Sequence, residues 1–216
     1  MAKRIVILIS GRGSNMQSLL AASREGQLGG DVALVVSNRP AAGGLDSARE
    51  AGIDTALIDH KLYPERAQFD RELAAVVGSV QPDLVVLAGF MRILTPHFVD
   101  AFRDRLVNIH PSLLPLYPGL HTHQRAIDQG DSHGGATVHY VTGELDGGPA
   151  IIQARVPIEP NDTADSLAAR VLITEHQIYP MAVAWHLNDR LTLDGETVSL
   201  DGQALPATGF AWAGSL

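Results

Sequence analysis

The chain lacks cysteine altogether and is short of positive charge. Its 216 residues include 16 lysines and arginines against 24 aspartates and glutamates, a formal net charge of −8. The absence of cysteine excludes a disulfide framework, a thiolate metal site and a thiol nucleophile. The acidic balance argues against a nucleic-acid surface, because phosphate binding needs clustered basic residues. The chemistry must therefore come from histidine, acidic, amide and hydroxyl side chains.

Long apolar runs are missing as well. The run Ile5–Ile9 follows Lys3 and Arg4, but it is shorter than the roughly 7–15 residues of a signal-peptide core. The longest other run, Leu84–Met91, is far below the roughly 20 residues that span a membrane. We therefore expect no membrane partner and a cytoplasmic location, with which the absence of cysteine is consistent.

Apolar runs alternate with segments of helical periodicity from residue 4 to residue 108. The runs are uninterrupted and rich in β-branched residues, as in strands that are buried on both faces of a parallel sheet. This alternation predicts an α/β fold with a Rossmann-like, doubly wound and mostly parallel sheet. Strands are predicted at 5–9, 32–36, 55–58, 84–87 and 106–108, and helices at about 16–25, 45–51, 69–80 and 95–102.

The second half of the chain predicts further strands, a long helix and a terminal hairpin. A helix is predicted at 121–129 and strands at 136–141 and 151–156. Thr163 and Ser166 favour the start of a long helix, and Asp194-Gly195 favours a hairpin turn. No linker interrupts the chain, so we expect one domain over residues 1–188 with a tail, 189–216, that packs on it.

The glycine loop Gly11-Arg12-Gly13-Ser14-Asn15 lies between the first strand and the first helix. Backbone N–H groups and the helix dipole favour an anion there, and Ser14 and Asn15 are the candidate N-caps. Met16 stands where a dinucleotide fingerprint has its third glycine, and the Gly-Lys-Ser/Thr of a P-loop is missing. One phosphate on a small ligand therefore fits better than a pyrophosphate. A tight turn that needs glycine is the alternative.

An amide and an imidazole, Asn108 and His110, lie two residues apart where the fifth strand ends. In extended backbone both side chains face the same way. Pro111, Pro115 and Pro118 then fix their own φ angles and disfavour helix. A rigid segment that presents a group titrating near neutrality suits a catalytic site. A proline-rich connector with an incidental histidine is the alternative.

Asp146 lies in a glycine-rich loop further along the chain. A carboxylate beside His110 would favour its imidazolium form. Asn108 and His110 would then be two donors to one oxygen, an oxyanion hole suited to acyl transfer through a tetrahedral intermediate. Since no nucleophile elbow is present, the acyl group would pass directly from donor to acceptor. Simple turn formation by an Asp before two glycines is the alternative.

Other acidic and histidine residues have simpler interpretations. His121 and His123 could bind a metal from a strand, but their segment predicts the start of a helix, so we expect no metal. Glu144 and Asp146 lie in one loop, which disfavours a glycosidase carboxylate pair. Glu175 lies within the predicted long helix, and its position there predicts a solvent-exposed side chain.

Taken together, these motifs resemble the phosphoribosylglycinamide formyltransferases of purine synthesis. The resemblance covers nearly the whole chain through the stretches Ser10–Asn15, Leu87–Leu94, Asn108–Thr122, Glu144–Pro149 and Glu175–Pro180. It implies the formyltransferase fold over 1–188. It also implies transfer of a formyl group from the cosubstrate 10-formyltetrahydrofolate to the amine of 5'-phosphoribosylglycinamide, without a metal.

The resemblance also implies residue roles. Asn108, His110 and Asp146 would form the catalytic trio. Gly13, Ser14 and Asn15 would hold the ribose phosphate, and Glu175 would contact the sugar. The folate pocket would be lined by Arg66, Met91, Arg92, Ile93, Leu94, Asn108 and Thr142, with Arg66 near the glutamate tail.

Two relatives and one unrelated class are alternatives. A formyltetrahydrofolate deformylase would carry an extra N-terminal regulatory domain, whereas the first strand begins here at residue 4. A methionyl-tRNA formyltransferase would bring a further C-terminal domain and a basic RNA surface. A non-catalytic nucleotide-binding domain would use only the glycine loop. The sequence leaves open whether the chain forms a homodimer.

Overall fold

The apolar runs of the first half of the chain form buried strands in a computed structural model that describes residues 2–214. The chain divides into two units, of which the first ends at Asn108 and the second begins at Ile109. The first unit alternates strands and helices as predicted. Its elements are β1 (Lys3–Ile9), α1 (Ser14–Arg24), β2 (Gly30–Ser37), α2 (Gly44–Glu50), β3 (Thr55–Leu57), a 3₁₀ turn (His60–Leu62), α3 (Arg66–Ser79), β4 (Leu84–Leu87), α4 (Pro96–Ala101) and β5 (Leu106–His110), whose last two residues belong to the second unit.

The strands of the first unit lie in the order β3-β2-β1-β4-β5, and every neighbouring pair is parallel. The order reverses at β1, so right-handed crossovers place the helices of the two halves on opposite faces. In agreement, α1 packs on α2 and α3 packs on α4. The predicted doubly wound, mostly parallel sheet is confirmed.

Burial follows the predicted patterns. From Ile5 onward every residue of β1 is buried, and so is every residue of β4, because helices cover both faces of a parallel sheet. In α3 the buried apolar residues Phe69, Leu73 and Val77 recur at helical spacing. Each such side chain contributes about 1.5–3 kcal/mol to stability when it is fully buried.

The second unit combines a long helix with antiparallel and parallel pairs. Its elements are α5 (Thr122–Asp128), β6 (His133–Tyr140), β7 (Ala150–Pro157), α6 (Ala164–Leu187), β8 (Leu191–Asp194), β9 (Thr197–Leu200), β10 (Gln203–Ala204) and β11 (Phe210–Trp212). The helix α6 packs on β6 and β7, which are antiparallel, and a hairpin of β8 and β9 follows it as predicted. Thr163 and Ser166 form a capping box at the predicted start of α6.

The end of the chain contains a strand that the sequence did not predict. β11 pairs with β7 in parallel, and the ring of Phe210 meets that of Trp185 edge-on, with centroids 5.4 Å apart. This part of the tail therefore continues a sheet of the second unit.

Within residues 2–214, no helix is both long enough and apolar enough to cross a membrane.

Candidate active site

The glycine loop after β1 leads directly into the N-terminus of α1. Gly13 precedes the helix with φ 71°, a left-handed conformation that glycine adopts without strain. The predicted capping by Ser14 or Asn15 is wrong, because the helix begins at Ser14 and no side chain caps it. The N–H groups of the first turn and the positive end of the helix dipole are therefore presented without a capping side chain, as an anion site requires.

The segment after β4 carries four of the predicted folate-binding residues. Met91 and Ile93 are more than half exposed, whereas Arg92 and Leu94 are half-buried. The Arg92 guanidinium lies over the ring of Phe69, 4.8 Å from its centroid, in a cation–π contact. The segment thus presents the side chains of Met91 and Ile93 to solvent, whereas those of Arg92 and Leu94 are turned toward the first unit.

The other two predicted residues of the first unit are Arg66 and Asn108. Arg66 is exposed and begins α3. Asn108 is half-buried and is in register with Leu87 of β4. Because β1, β4 and β5 are parallel neighbours, the glycine loop, the segment after β4 and Asn108 all lie toward the carboxyl ends of these strands. In sheets of this kind, ligands bind at that edge.

His110 is the last residue of β5, which extends two residues beyond the predicted end. Asn108 and His110 are therefore alternate residues of one strand, as the sequence predicts. His110 is buried, and its Nε2 lies 2.9 Å from the Tyr117 carbonyl oxygen. Since a carbonyl only accepts, Nε2 carries a proton. The other ring nitrogen, Nδ1, is 3.4 Å from Asp146 Oδ2, so the structure brings the predicted imidazole and carboxylate together.

Asp146 has a left-handed backbone conformation, and its carboxylate is directed toward His110. Asp146 has φ 52°, a conformation that aspartate tolerates better than most residues. Its Oδ2 also accepts the backbone N–H of Gly119 at 2.8 Å. A Cβ on Gly148 would lie 1.9 Å from the Tyr140 carbonyl oxygen, so the chain can fold back there only with glycine. The glycines after Asp146 therefore allow the close return of the chain that directs its side chain to His110.

A second imidazole, His139, lies beside the same carboxylate and was missed by the sequence analysis. His139 Nε2 is 3.9 Å from Asp146 Oδ1, and Nδ1 donates to the Tyr140 carbonyl oxygen at 2.9 Å. Burial lowers the pKa of His139, although the Tyr140 carbonyl and Asp146 oppose the shift. His139 is therefore neutral near pH 7, and it leaves the charge of Asp146 available to His110. The only feature of the sequence that could have indicated this role is the position of His139 within a predicted apolar strand.

Three buried or half-buried histidines make the stability of the protein depend on pH. Burial lowers the pKa of His139, His123 and His176 from the usual value of 6.5. The unfolded chain binds these protons at a higher pH than the folded protein does. Stability is therefore fully present above pH 6.5 and is lost as the pH falls toward the folded-state pKa values.

We expect the thermal unfolding midpoint to be lower at about pH 5.5 than at about pH 7.5. In His139→Asn the difference should shrink, because asparagine can still donate to the Tyr140 carbonyl but does not titrate. His97→Asn, at an exposed position, is the matched control and should leave the difference unchanged. An undiminished pH effect in His139→Asn would contradict the assignment.

Two further predicted residues of the second unit are Thr142 and Glu175. Thr142 is exposed, and its hydroxyl accepts the backbone N–H of Glu144 at 3.3 Å. Glu175 is buried in α6 at 7% exposure, so the interpretation of Glu175 as a solvated residue is wrong. The helix turns this residue inward with its neighbour Thr174, and a carboxylate kept inside the protein suggests a functional role.

The two histidines that suggested a metal site are separated by the start of α5. His121 is exposed and precedes the helix with φ 59°, whereas His123 is half-buried within the first turn. In the described part of the chain, residues 2–214, no three histidine, aspartate or glutamate side chains are grouped so that they could hold a metal ion.

The chain is similar to proteins of known kind. A family profile described as formyl transferase matches residues 3–183. The phosphoribosylglycinamide formyltransferase of Escherichia coli strain K12 is 49% identical over 207 residues, which make up 96% of this chain and 98% of that protein. In structure, the phosphoribosylglycinamide formyltransferase of Coxiella burnetii matches with a TM-score of 0.94 at 44% identity, over 99% of this chain and 100% of that chain.

A deformylase structure is also similar, but less so. A formyltetrahydrofolate deformylase from Pseudomonas syringae matches with a TM-score of 0.84 at 30% identity. The match covers 93% of this chain and 66% of the deformylase. The similarity to the Coxiella burnetii transferase is greater by identity, by TM-score and by the share of each chain that is covered.

Proposed function

The chain belongs to the formyl transferase family, and on this premise we propose that it transfers the formyl group of 10-formyltetrahydrofolate to the amine of 5'-phosphoribosylglycinamide in purine biosynthesis. The observation that carries the proposal is the His110–Asp146 pair at 3.4 Å, in which 8% and 10% of the side chains are exposed. The names of the transferases from Escherichia coli and Coxiella burnetii support the choice of acceptor.

The proposed mechanism is a direct attack. The neutral amine of the ribonucleotide attacks the formyl carbon, a C–N bond forms, and the formyl oxygen becomes an oxyanion. Asn108 and His110 donate hydrogen bonds to this oxyanion, where charge develops in the transition state. Asp146 stabilises the positive charge on His110. Collapse of the intermediate breaks the bond to N10 of the folate, and the proton that the amine loses passes to N10 through the His110–Asp146 pair and water.

The binding roles are proposed from the family resemblance and from local geometry. Gly13, Ser14 and Asn15 bind the phosphate, a role that the uncapped start of α1 supports. Glu175 contacts the sugar, and its burial supports a specific role. The folate is bound by Arg66, Met91, Arg92, Ile93, Leu94, Asn108 and Thr142.

We also propose that the catalytic domain ends near residue 188 and that the tail, 189–216, packs on it. The family match to residues 3–183 supports this boundary. The proposed pathway, together with the absence of cysteine, supports a cytoplasmic location. No metal or nucleic acid is needed for the reaction.

The test is an assay with both substrates and with either one alone. We expect formylated ribonucleotide and tetrahydrofolate to appear in equal amounts, and only when both substrates are present. Formate release from 10-formyltetrahydrofolate without acceptor would instead indicate a deformylase. Binding of the ribonucleotide without any effect of folate would indicate a non-catalytic nucleotide-binding domain.

A further inference from the structure

Ser10, the residue between β1 and the glycine loop, joins two loops of the first unit. It is buried, and its Oγ accepts the backbone N–H of Met91 at 2.7 Å. Its own backbone N–H donates to the Gly89 carbonyl at 3.2 Å. Both bonds lie beyond the paired part of β1 and β4, whose last pair is Leu8 with Leu87. They therefore fix the loop after β4 separately from the sheet.

The direction of the Ser10 hydroxyl is set by Asn38, which follows β2 and is 1% exposed. Ser10 Oγ donates to Asn38 Oδ1 at 2.5 Å. Because a hydroxyl has one proton, this bond leaves a lone pair of Ser10 for the N–H of Met91. Asn38 is held in turn by His60, whose Nδ1 donates to the Asn38 carbonyl at 2.7 Å.

Asp70 anchors the other end of the same loop. It is fully buried in α3, and its Oδ2 accepts the backbone N–H of Thr95 at 2.5 Å. The backbone is thus held at residues 91 and 95, while the side chains of Met91 and Ile93 are 58% and 55% exposed. An anchored backbone that presents exposed apolar side chains is organised for a ligand before the ligand arrives.

We propose that Ser10 is a positioning residue for folate binding. Its hydroxyl, oriented by the side chain of Asn38, fixes the backbone at Met91, so that Met91–Leu94 form the folate-binding surface without being ordered by the ligand. The inference rests on the proposed function, which assigns these residues to folate. Pre-organisation of this kind lowers the entropy lost on binding. Loss of the hydroxyl should therefore weaken folate binding and leave the rate of the chemical step unchanged.

The test compares Ser10→Ala, Asn38→Ala and the double variant with the wild type. We measure kcat, the KM of each substrate and the Kd of tetrahydrofolate, a product that does not react. Ser10→Ala should raise the folate KM and the tetrahydrofolate Kd about five- to tenfold, as expected for one lost hydrogen bond. The ribonucleotide KM and kcat should change by less than about twofold.

Two comparisons separate positioning from general loss of structure. The double variant should be no worse than Ser10→Ala, because both changes act through the same contact to Met91. Ser37→Ala is the matched control, since Ser37 is equally buried but its hydroxyl bonds to the backbone of Arg39. Ser37→Ala should leave the folate KM unchanged. Amide hydrogen exchange at Met91 should be faster in Ser10→Ala than in the wild type.

The proposal is overturned if Ser10→Ala leaves the tetrahydrofolate Kd unchanged. It is also overturned if kcat and both KM values worsen together, since that pattern indicates damage to the fold. A wild-type protein that transfers no formyl group would refute the proposed function alone. In that case the tetrahydrofolate Kd of Ser10→Ala still decides the inference, and an absence of tetrahydrofolate binding to the wild type overturns both.

Discussion

Replacing His110 by alanine should lower kcat by about 10²-fold or more, with little change in either KM. The imidazole is buried at the end of β5, with Asp146 at one ring nitrogen and the Tyr117 carbonyl at the other. In the proposed mechanism it stabilises charge that exists only in the transition state. Its loss therefore raises the barrier and leaves ground-state binding intact. Steady-state kinetics with both substrates provide the measurement.

His97→Ala is the control for this experiment, because His97 is exposed in α4. It should retain wild-type turnover. Titration of His110→Ala with tetrahydrofolate should give a Kd close to that of the wild type, which shows that the site is still formed. Turnover of His110→Ala near the wild-type rate would refute the proposed role of His110.

Replacing Asp146 by asparagine should lower kcat on the order of 10²–10³-fold. The asparagine oxygen can still accept the N–H of Gly119, so the turn that carries residue 146 should persist. The negative charge beside His110 is lost, however, and in the proposed mechanism a carboxylate then no longer stabilises the donor to the oxyanion. We expect the loss in kcat with both KM values nearly unchanged.

Glu144→Gln is the matched control, because it removes a carboxylate from the same loop at an exposed position. Its kcat should equal that of the wild type. If both variants lost activity to the same extent, the effect would come from the charge of the loop as a whole. Near-normal turnover of Asp146→Asn would show that the His110–Asp146 pair is not needed for the reaction.

Local patterns predicted much of the fold and part of the candidate site. Apolar runs located the strands because both faces of this sheet are covered, and Thr163 with Ser166 located the start of α6. The spacing of Asn108 and His110 predicted that they share a strand face. The resemblance to the formyltransferase family is confirmed by the family match. The predictions of the strands, of the start of α6 and of the shared strand face each depend on residues that are close together in sequence.

The parts that failed depend on contacts between distant residues or on backbone conformation. The predicted N-cap of α1 was wrong because the helix already begins at Ser14, so that the N-cap position falls on Gly13, which has no side chain. Glu175 was taken as solvated because helix periodicity does not say which face is covered. The parallel pairing of β11 with β7 and the position of His139 beside Asp146 depend on how distant segments meet.

Because His110 Nε2 already donates to the backbone carbonyl of Tyr117, it exchanges this partner more readily for a negatively charged oxygen than for a neutral one. Tyr117 is held by its hydroxyl, which donates to Asp131 at 2.6 Å, and by the Arg125 guanidinium, 5.1 Å from its ring centroid. Its carbonyl therefore competes for the proton on His110 Nε2 with any oxygen that enters the site. An uncharged formyl oxygen is no better an acceptor than this carbonyl, whereas an oxyanion forms a hydrogen bond roughly twice as strong. In the proposed mechanism, this exchange of partners favours the transition state over the resting substrate, which is the condition for faster turnover instead of tighter binding.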